Sequence, residues 1–194
     1  MLLAGHKAGA PYEVFLSADA ERPLALEKEG LTVPGTRFVY ARGKLALWSK
    51  QPALIDARGE LLRRQKFAKL AIADPRIAPY GAAAENVLKK LGLWDKLNAQ
   101  GKIVLGTSVA HAFQFAQSGA ADCAFVAYSQ VIETLDGGSH WLVPENSYPA
   151  LNQEAVLLKG GTNKPGARAF LKWLKTDRRA LEGIRAAGYG AAAR

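Results

Sequence analysis

The stretch from Lys69 to Gly92 constrains the fold most, because it contains a strand, a loop and the start of a helix in one short segment. Residues 70–73 (LAIA) form an apolar run too short for a helix, which predicts a buried strand. Pro79 restricts φ, and Tyr80-Gly81 opens a run of helix formers, residues 82–91, that should end at Gly92. The start of a helix collects backbone N–H groups and the positive end of the dipole, which would suit an anion, although most such connections bind nothing.

A second segment repeats this order of elements. Residues 102–105 (KIVL) predict a strand, Ser108 is a good N-cap, and residues 109–117 predict a helix with one apolar face. Strands that alternate with helices indicate an α/β fold with a largely parallel sheet. Because ligands of such sheets lie at the carboxyl ends of strands, the helix starts at Tyr80 and Val109 could converge on one anion.

The remaining pattern predicts further elements of the same kinds. Turn residues such as glycine and proline separate short apolar runs from segments with helical spacing. Strands are expected at residues 13–17, 37–41, 45–49, 123–128, 141–143 and 155–158, and helices at 20–29, 60–64, 165–175 and after Asp177.

Charge and composition exclude several classes of protein. The net charge of +9 favours an acidic partner, but the basic residues are scattered and lack interleaved aromatic residues, so no nucleic-acid groove is expected. No stretch approaches the roughly 18 apolar residues of a membrane span. The single cysteine, Cys123, cannot form an internal disulfide, and its apolar neighbours indicate a buried side chain and not a nucleophile.

Candidate catalytic residues are few and weak. The sequence has no Walker loop, no GxGxxG, no GxSxG and no CxxC. Its three histidines, His6, His111 and His140, do not have the spacing of metal ligands. His111 lies inside a predicted helix, and the favoured interpretation is a surface or hydrogen-bonded histidine without a catalytic role. Three aspartates lie near strand ends, Asp19, Asp74 and Asp122. Two of them could form an acid/base pair, but roles in turns and helix caps are the favoured alternative.

Five longer motifs resemble the periplasmic molybdate-binding proteins of bacterial ABC transporters. Together they cover nearly the whole chain, and as a set they are specific. They are GAPYEVFLSAD (Gly9–Asp19), VPGTRFVYARGKLALWS (Val33–Ser49), KLAIADPRIAPYGAAAENVLKKLGLWDKL (Lys69–Leu97), VLGTSVAHAFQFAQSGAADCAFVAYSQV (Val104–Val131) and YPALNQEAVLL (Tyr148–Leu158).

The resemblance implies a type II binding-protein fold, in which two α/β lobes are joined by crossing strands. Lobe I would comprise residues 1–42 and 149–194, and lobe II residues 43–148. A tetrahedral oxyanion, molybdate or tungstate, would be dehydrated in the cleft between the lobes and held by neutral donors at helix N-termini. The implied protein is a periplasmic monomer that serves a membrane permease, with no enzymatic activity and no cofactor besides its ligand.

The resemblance also assigns the site residues. Tyr80 and Val109 match ligand-contacting positions, mainly through their backbone N–H groups, and would contact the metal only through the oxygen atoms of the oxyanion. Supporting positions around the ligand are Pro79, Ser108 and Ser17. Ala127 stands where some relatives place a ligand-contacting tyrosine, so no contact is expected there.

The beginning of the sequence departs from the family pattern. Family members carry a strand, a helix and a second strand with a serine-rich loop before the segment that matches Leu2–Gly9. We therefore expect an incomplete first lobe, half a binding site and no signal peptide; nanomolar molybdate binding would contradict the half-site hypothesis. The alternatives are a regulatory or sensory module of the same fold, a truncated fragment that binds nothing, and an enzyme that uses the three aspartates named above.

Overall fold

The computed structural model describes residues 11–134, 137–190 and 192. The chain divides into two compact units, one formed by residues up to Gly43 together with those from Asn152, the other by Lys44–Leu151. Within the described residues, no helix is both long and apolar enough to cross a bilayer.

The strands and helices of the described residues follow the predicted alternation. Two short 3₁₀ turns at Glu145–Ser147 and Lys159–Gly161 interrupt the second half. In chain order the elements are β1 (Val14–Ser17), α1 (Glu21–Lys28), β2 (Phe38–Gly43), β3 (Leu45–Ser49), α2 (Glu60–Arg64), β4 (Leu70–Ala73), α3 (Pro79–Lys90), α4 (Trp94–Ala99), β5 (Ile103–Gly106), α5 (Val109–Ser118), β6 (Cys123–Ala127), α6 (Tyr128–Glu133), β7 (Ser139–Leu142), β8 (Leu151–Leu157), α7 (Pro165–Thr176) and α8 (Arg178–Ala186).

The first unit contains a three-stranded sheet in the order β1-β8-β2. β1 pairs antiparallel with β8, with Val14 opposite Leu157 and Ser17 opposite Glu154. One face of the sheet packs against α7, whose buried side chains include Leu171. Phe15 packs on the other face, in a separate cluster that also contains the buried Leu26 of α1. Both faces of this small sheet are therefore covered by helices.

The second unit contains a five-stranded mixed sheet in the order β5-β4-β6-β3-β7. β4 runs parallel to β5 and β6, as expected, but β3 runs antiparallel to both β6 and β7. The prediction of a largely parallel sheet was therefore wrong for the pairs β3–β6 and β3–β7 of this unit and for the pair β1–β8 of the first unit. The long helices α3 and α5 lie in the connections from β4 to β5 and from β5 to β6, and a crossover of this kind makes the strands that it joins parallel. The short helices α2 and α6 lie in the connections on either side, and the strands there are not constrained to be parallel.

The core of the second unit has two layers, one on each face of its sheet. Side chains of β3 alternate between the layers, Leu45 and Leu47 on one face and Ala46 and Trp48 on the other. α3 packs on the first layer and α5 on the second. Cys123 is buried in the first layer, as predicted, and burial raises the pKa of its thiol.

Two helices were not expected from the sequence. α4 and α6 have six residues each, which is too short for a helical pattern of apolar residues to stand out. α3 begins earlier than the run of helix formers suggested, at Pro79, and it ends where predicted, with Gly92 at φ +68°.

Candidate functional site

The candidate site begins where two neighbouring strands end. β4 and β5 are parallel, and their last residues, Ala73 and Gly106, are register partners. The N–H of Asp74 continues this pairing by donating to the carbonyl oxygen of Gly106 at 2.7 Å. The loops that follow both strands therefore leave the same edge of the sheet side by side, and each leads into a helix.

The start of α3 is built around a proline and a close backbone contact. Ala78 is extended (φ −131°, ψ 126°), Pro79 is the first helical residue, and no side chain caps the helix. The amides of Gly81 and Ala82 both donate to the carbonyl oxygen of Ala78, at 3.0 and 3.1 Å. The Tyr80 side chain is buried in the apolar layer beneath. The first turn carries no acidic residue, so no carboxylate of this turn opposes the positive end of the dipole.

The start of α5 is held by hydrogen bonds. Ser108 is extended (φ −155°, ψ 167°), and its side-chain oxygen accepts from the His111 N–H at 3.1 Å. Among the described residues, the backbone N–H groups of Val109 and Ala110 have no hydrogen-bond partner. This first turn also lacks an acidic residue. Two such amides at the start of a ten-residue helix, at the positive end of its dipole, are donors suited to an anion.

Two of the predicted ligand residues lie on the same side of the sheet. Although most of α5 packs on the opposite face from α3, Val109 packs against the cluster that contains Tyr80. Pro79 and Ser108 precede these two residues directly, so all four predicted positions of this unit belong to the two helix starts. Ser17 belongs to the other unit, where it is buried at the end of β1, and its place around a ligand stays a prediction.

Two glycines allow the strands and helices to approach each other closely at this edge, and sequence reasoning missed both. A Cβ atom on Gly81 would overlap the carbonyl oxygen of Ala73. A Cβ atom on Gly106 would lie 2.9 Å from the backbone nitrogen of Ala112, in the first turns of α5. The only indication in the sequence is a glycine among helix formers and another at the end of a strand.

Asp74 and Arg76 form an ion pair in the loop before α3. The guanidinium donates to both carboxylate oxygens, at 3.0 Å from Nε to Oδ1 and 2.6 Å from Nη2 to Oδ2. The side-chain hydrogen bond from Arg76, together with the backbone N–H of Arg76, lowers the pKa of Asp74 to about 2. Because Asp74 neutralises this cation, the donors at the helix starts are backbone amides without an added positive charge.

The aspartates do not form an acid/base pair. Asp19 pairs with Arg22. Asp122 accepts from the amides of Ala68 and Lys69 at 2.7 and 2.8 Å. Asp74 follows β4 and Asp122 precedes the parallel β6, so they lie at opposite ends of the sheet. The capping and turn interpretation is therefore the correct one.

The histidines form no metal centre within the described residues. His111 accepts from the Thr107 amide at 3.3 Å, and its ring lies 4.4 Å from that of Phe115 in a tilted arrangement. The ring of His140 lies 5.7 Å from that of Tyr128. No group of three His, Cys, Asp or Glu side chains in residues 11–134 and 137–190 could hold a metal ion. His6 lies outside the described residues.

Comparison with known proteins identifies the family. Residues 2–190 match the family of bacterial extracellular solute-binding proteins. The chain is 51% identical over 181 residues to the molybdate-binding protein ModA of Rhodobacter capsulatus, covering 93% of this chain and 70% of that protein. It is 50% identical over 184 residues to ModA of Azotobacter vinelandii, covering 94% of this chain and 72% of that one.

Solved structures agree with this assignment. The Azotobacter vinelandii periplasmic molybdate-binding protein superimposes with a TM-score of 0.88 at 44% identity, covering 99% of this chain and 84% of the other. The substrate-binding domain of a putative molybdenum ABC transporter from Clostridium difficile gives a TM-score of 0.81 at 25% identity, covering 99% and 82%. The chain therefore has an α/β periplasmic-binding-protein fold and belongs to the bacterial extracellular solute-binding proteins, in the group of the ModA molybdate-binding proteins.

Proposed function

We propose that this chain captures molybdate or tungstate as the binding component of a bacterial ABC importer. The observation that carries the proposal is the start of α5, where the amides of Val109 and Ala110 have no partner among the described residues and no carboxylate occupies the first turn. The family supports it, because the relatives at about half identity are molybdate-binding proteins. The group is periplasmic and works with a membrane permease, and we propose that this chain acts there as a monomer.

In the proposed mechanism, backbone amides replace the water around a tetrahedral dianion. Val109 and Tyr80 donate to the anion through their backbone N–H groups, and the two helix dipoles add positive potential at the position of the bound dianion. Pro79 sets the backbone that leads into one helix, and Ser108 fixes the other through its cap. Ser17 supports the site from the other unit without direct contact, and the position of the ligand between the two units stays a prediction.

The same donors account for the proposed selectivity. Backbone amides at helix starts cannot move without moving the helices and the sheet beneath them, so the distances among the donors are fixed. A fixed set of donors binds best the anion whose oxygens reach all of them. Molybdate and tungstate are similar in size and larger than sulfate, so we expect sulfate to bind much more weakly.

The proposal is tested by titrating the chain with molybdate, tungstate and sulfate while following thermal unfolding. A ligand at about a hundred times its Kd stabilises the folded state by roughly 2.7 kcal/mol, which for a domain of this size is a shift of several degrees. We expect this shift with molybdate and tungstate and not with sulfate. No shift with any of the three would contradict oxyanion binding, and an equal shift with sulfate would contradict the selectivity.

Val109→Pro tests the role of the α5 amide directly. The substitution removes one N–H at the first helical position, where proline is compatible with the helix, and the extended Ser108 suits a following proline. Loss of one hydrogen bond to a charged ligand, about 1.5–3 kcal/mol, should weaken molybdate binding roughly 10- to 150-fold by calorimetry.

Two matched variants complete this experiment. Val109→Ala keeps the N–H and should bind like the wild type. Arg178→Pro places proline at the first position of α8, after the extended Asp177 in the other unit, and should also leave binding unchanged. Equal affinity of Val109→Pro and the wild type, with helical circular dichroism retained, would remove this amide from the site.

A further inference from the structure

His111 holds both residues of the loop between β5 and α5. Its backbone N–H donates to the side-chain oxygen of Ser108 at 3.1 Å. Its ring nitrogen Nδ1 accepts from the backbone N–H of Thr107 at 3.3 Å, and the Thr107 hydroxyl oxygen lies at the same distance from Nδ1. The two residues that lead from the sheet to Val109 are therefore tied to the backbone and the side chain of one residue in the first turn of the helix.

The contact with Thr107 depends on a hydrogen-bond acceptor. A ring nitrogen that accepts a hydrogen bond carries no proton, so the neutral imidazole of His111 is assigned with its proton on Nε2. The N–H of Thr107 keeps its partner only while an acceptor occupies the position of Nδ1. An aliphatic side chain of the same size would fill the space without holding the loop.

The ring and the loop are both closely packed. The ring centroid of His111 lies 4.4 Å from that of Phe115, one turn further along α5, and the two rings are inclined by 30°. A Cβ atom on Gly106 would lie 2.9 Å from the backbone nitrogen of Ala112 and 3.3 Å from the backbone carbonyl carbon of His111. The loop therefore lies against the first turns of α5, and the side chain that fixes it is itself held by a neighbour.

We propose that His111 is a positioning residue for the oxyanion, because its bond to Thr107 fixes the peptide plane that carries the Val109 N–H. This role rests on the proposed function, in which Val109 is a donor to the anion. The plane of the Ser108–Val109 peptide follows from the extended backbone of Ser108, which has ψ 167° and is held at its side chain and through Thr107. The imidazole acts without touching the anion, by keeping the donor preorganised.

Three substitutions at this position separate the acceptor from the other properties of the ring. In His111→Asn the side-chain oxygen is bonded to Cγ, as Nδ1 is, so an acceptor remains near the Thr107 N–H. His111→Gln moves the amide group one carbon further out, toward the position of Nε2, and His111→Ala removes it. All three lose the ring contact with Phe115. Because helix propensity is higher for Gln than for Asn, a role in helix stability alone predicts the opposite order of these two variants.

Calorimetry with molybdate on the wild type and these variants is the first measurement. We expect His111→Asn to bind within about twofold of the wild type, and His111→Gln and His111→Ala to bind about 3- to 10-fold more weakly, the effect of losing one neutral hydrogen bond. The control is His140→Ala, which removes an exposed histidine from β7 and should bind like the wild type. Wild-type affinity in the Gln and Ala variants, or an equal loss in the Asn and Ala variants, would overturn the proposal.

Amide hydrogen exchange at Thr107 in the ligand-free chain is the second measurement, and it does not depend on oxyanion binding. Exchange should be faster by about threefold or more in His111→Ala and His111→Gln, and unchanged in His111→Asn. Equal exchange in the wild type and all three variants would overturn the positioning role even if the wild type binds molybdate. If the exchange differences are present but the wild type binds no oxyanion, the proposed function fails, and with it the role toward the anion, while the loop contact stands.

Discussion

The starts of α3 and α5 occupy equivalent places at the ends of neighbouring strands, but they are held differently. The first turn of α3 is packed: Tyr80 is buried, and Gly81 lies against the carbonyl of Ala73. The first turn of α5 is more exposed and is held by the cap from Ser108 to the amide of His111. The start of α3 therefore depends on close packing and the start of α5 on a hydrogen bond, so substitutions should affect the two helix starts unequally.

The largest effect is expected at the packed start. Gly81→Ala places a Cβ atom into the carbonyl oxygen of Ala73, and because this neighbour is backbone, the helix or the strand must shift. We expect the free energy of unfolding to fall by about 2–3 kcal/mol, and Tm by roughly 5–10 °C in a thermal scan. The control is Gly183→Ala in α8, which has open space at its Cβ and should be neutral or stabilising. Equal melting of Gly81→Ala and the wild type would show that packing does not position α3.

A smaller effect is expected at the capped start. Ser108→Ala removes the side-chain oxygen that accepts from the His111 amide, which should lower the free energy of unfolding by about 1 kcal/mol. Urea denaturation measures this loss. Gln117→Ala, on the surface near the other end of the same helix, is the matched control. If both variants lose the same stability, the cap has no special role.

A still smaller effect is expected for the Tyr80 hydroxyl. If Tyr80 contacts the oxyanion through its backbone N–H, Tyr80→Phe keeps that donor and fills nearly the same buried volume. Molybdate affinity should then stay within about threefold of the wild type, because the change in binding free energy should be smaller than the loss of one ordinary hydrogen bond. Calorimetry measures the affinity of the variant. A loss of affinity above tenfold would show that the hydroxyl contacts the ligand.

The smallest effect concerns the ion pair that precedes α3 and has no equivalent before α5. The pKa of Asp74 is lowered to about 2, so its contribution to stability is complete above the ordinary aspartate pKa, near 3.9, and is lost as the pH falls through about 2. In an NMR titration, Arg76→Ala should raise the pKa of Asp74 toward its ordinary value. An unchanged pKa would mean that Arg76 is not its main cause.

Local pattern was sufficient for much of the fold. The apolar run of residues 70–73 and the helical spacing after Ser108 predicted β4 and α5 nearly to the residue, because both depend on neighbours in sequence. The resemblance in the five motifs also identified the family, which the comparisons confirm. The short helices α4 and α6 were missed, because one or two turns carry too little pattern.

Local pattern in the sequence was enough for most of the strands, for the longer helices, for the start of α5 and for the family. Which strands are neighbours is visible only in the folded chain, where β3 pairs antiparallel with β6. The tertiary structure also brought Val109 to the cluster around Tyr80, although their helices pack on opposite faces, and it left no space for a side chain at Gly81. These features join residues distant in sequence, so no local periodicity encodes them.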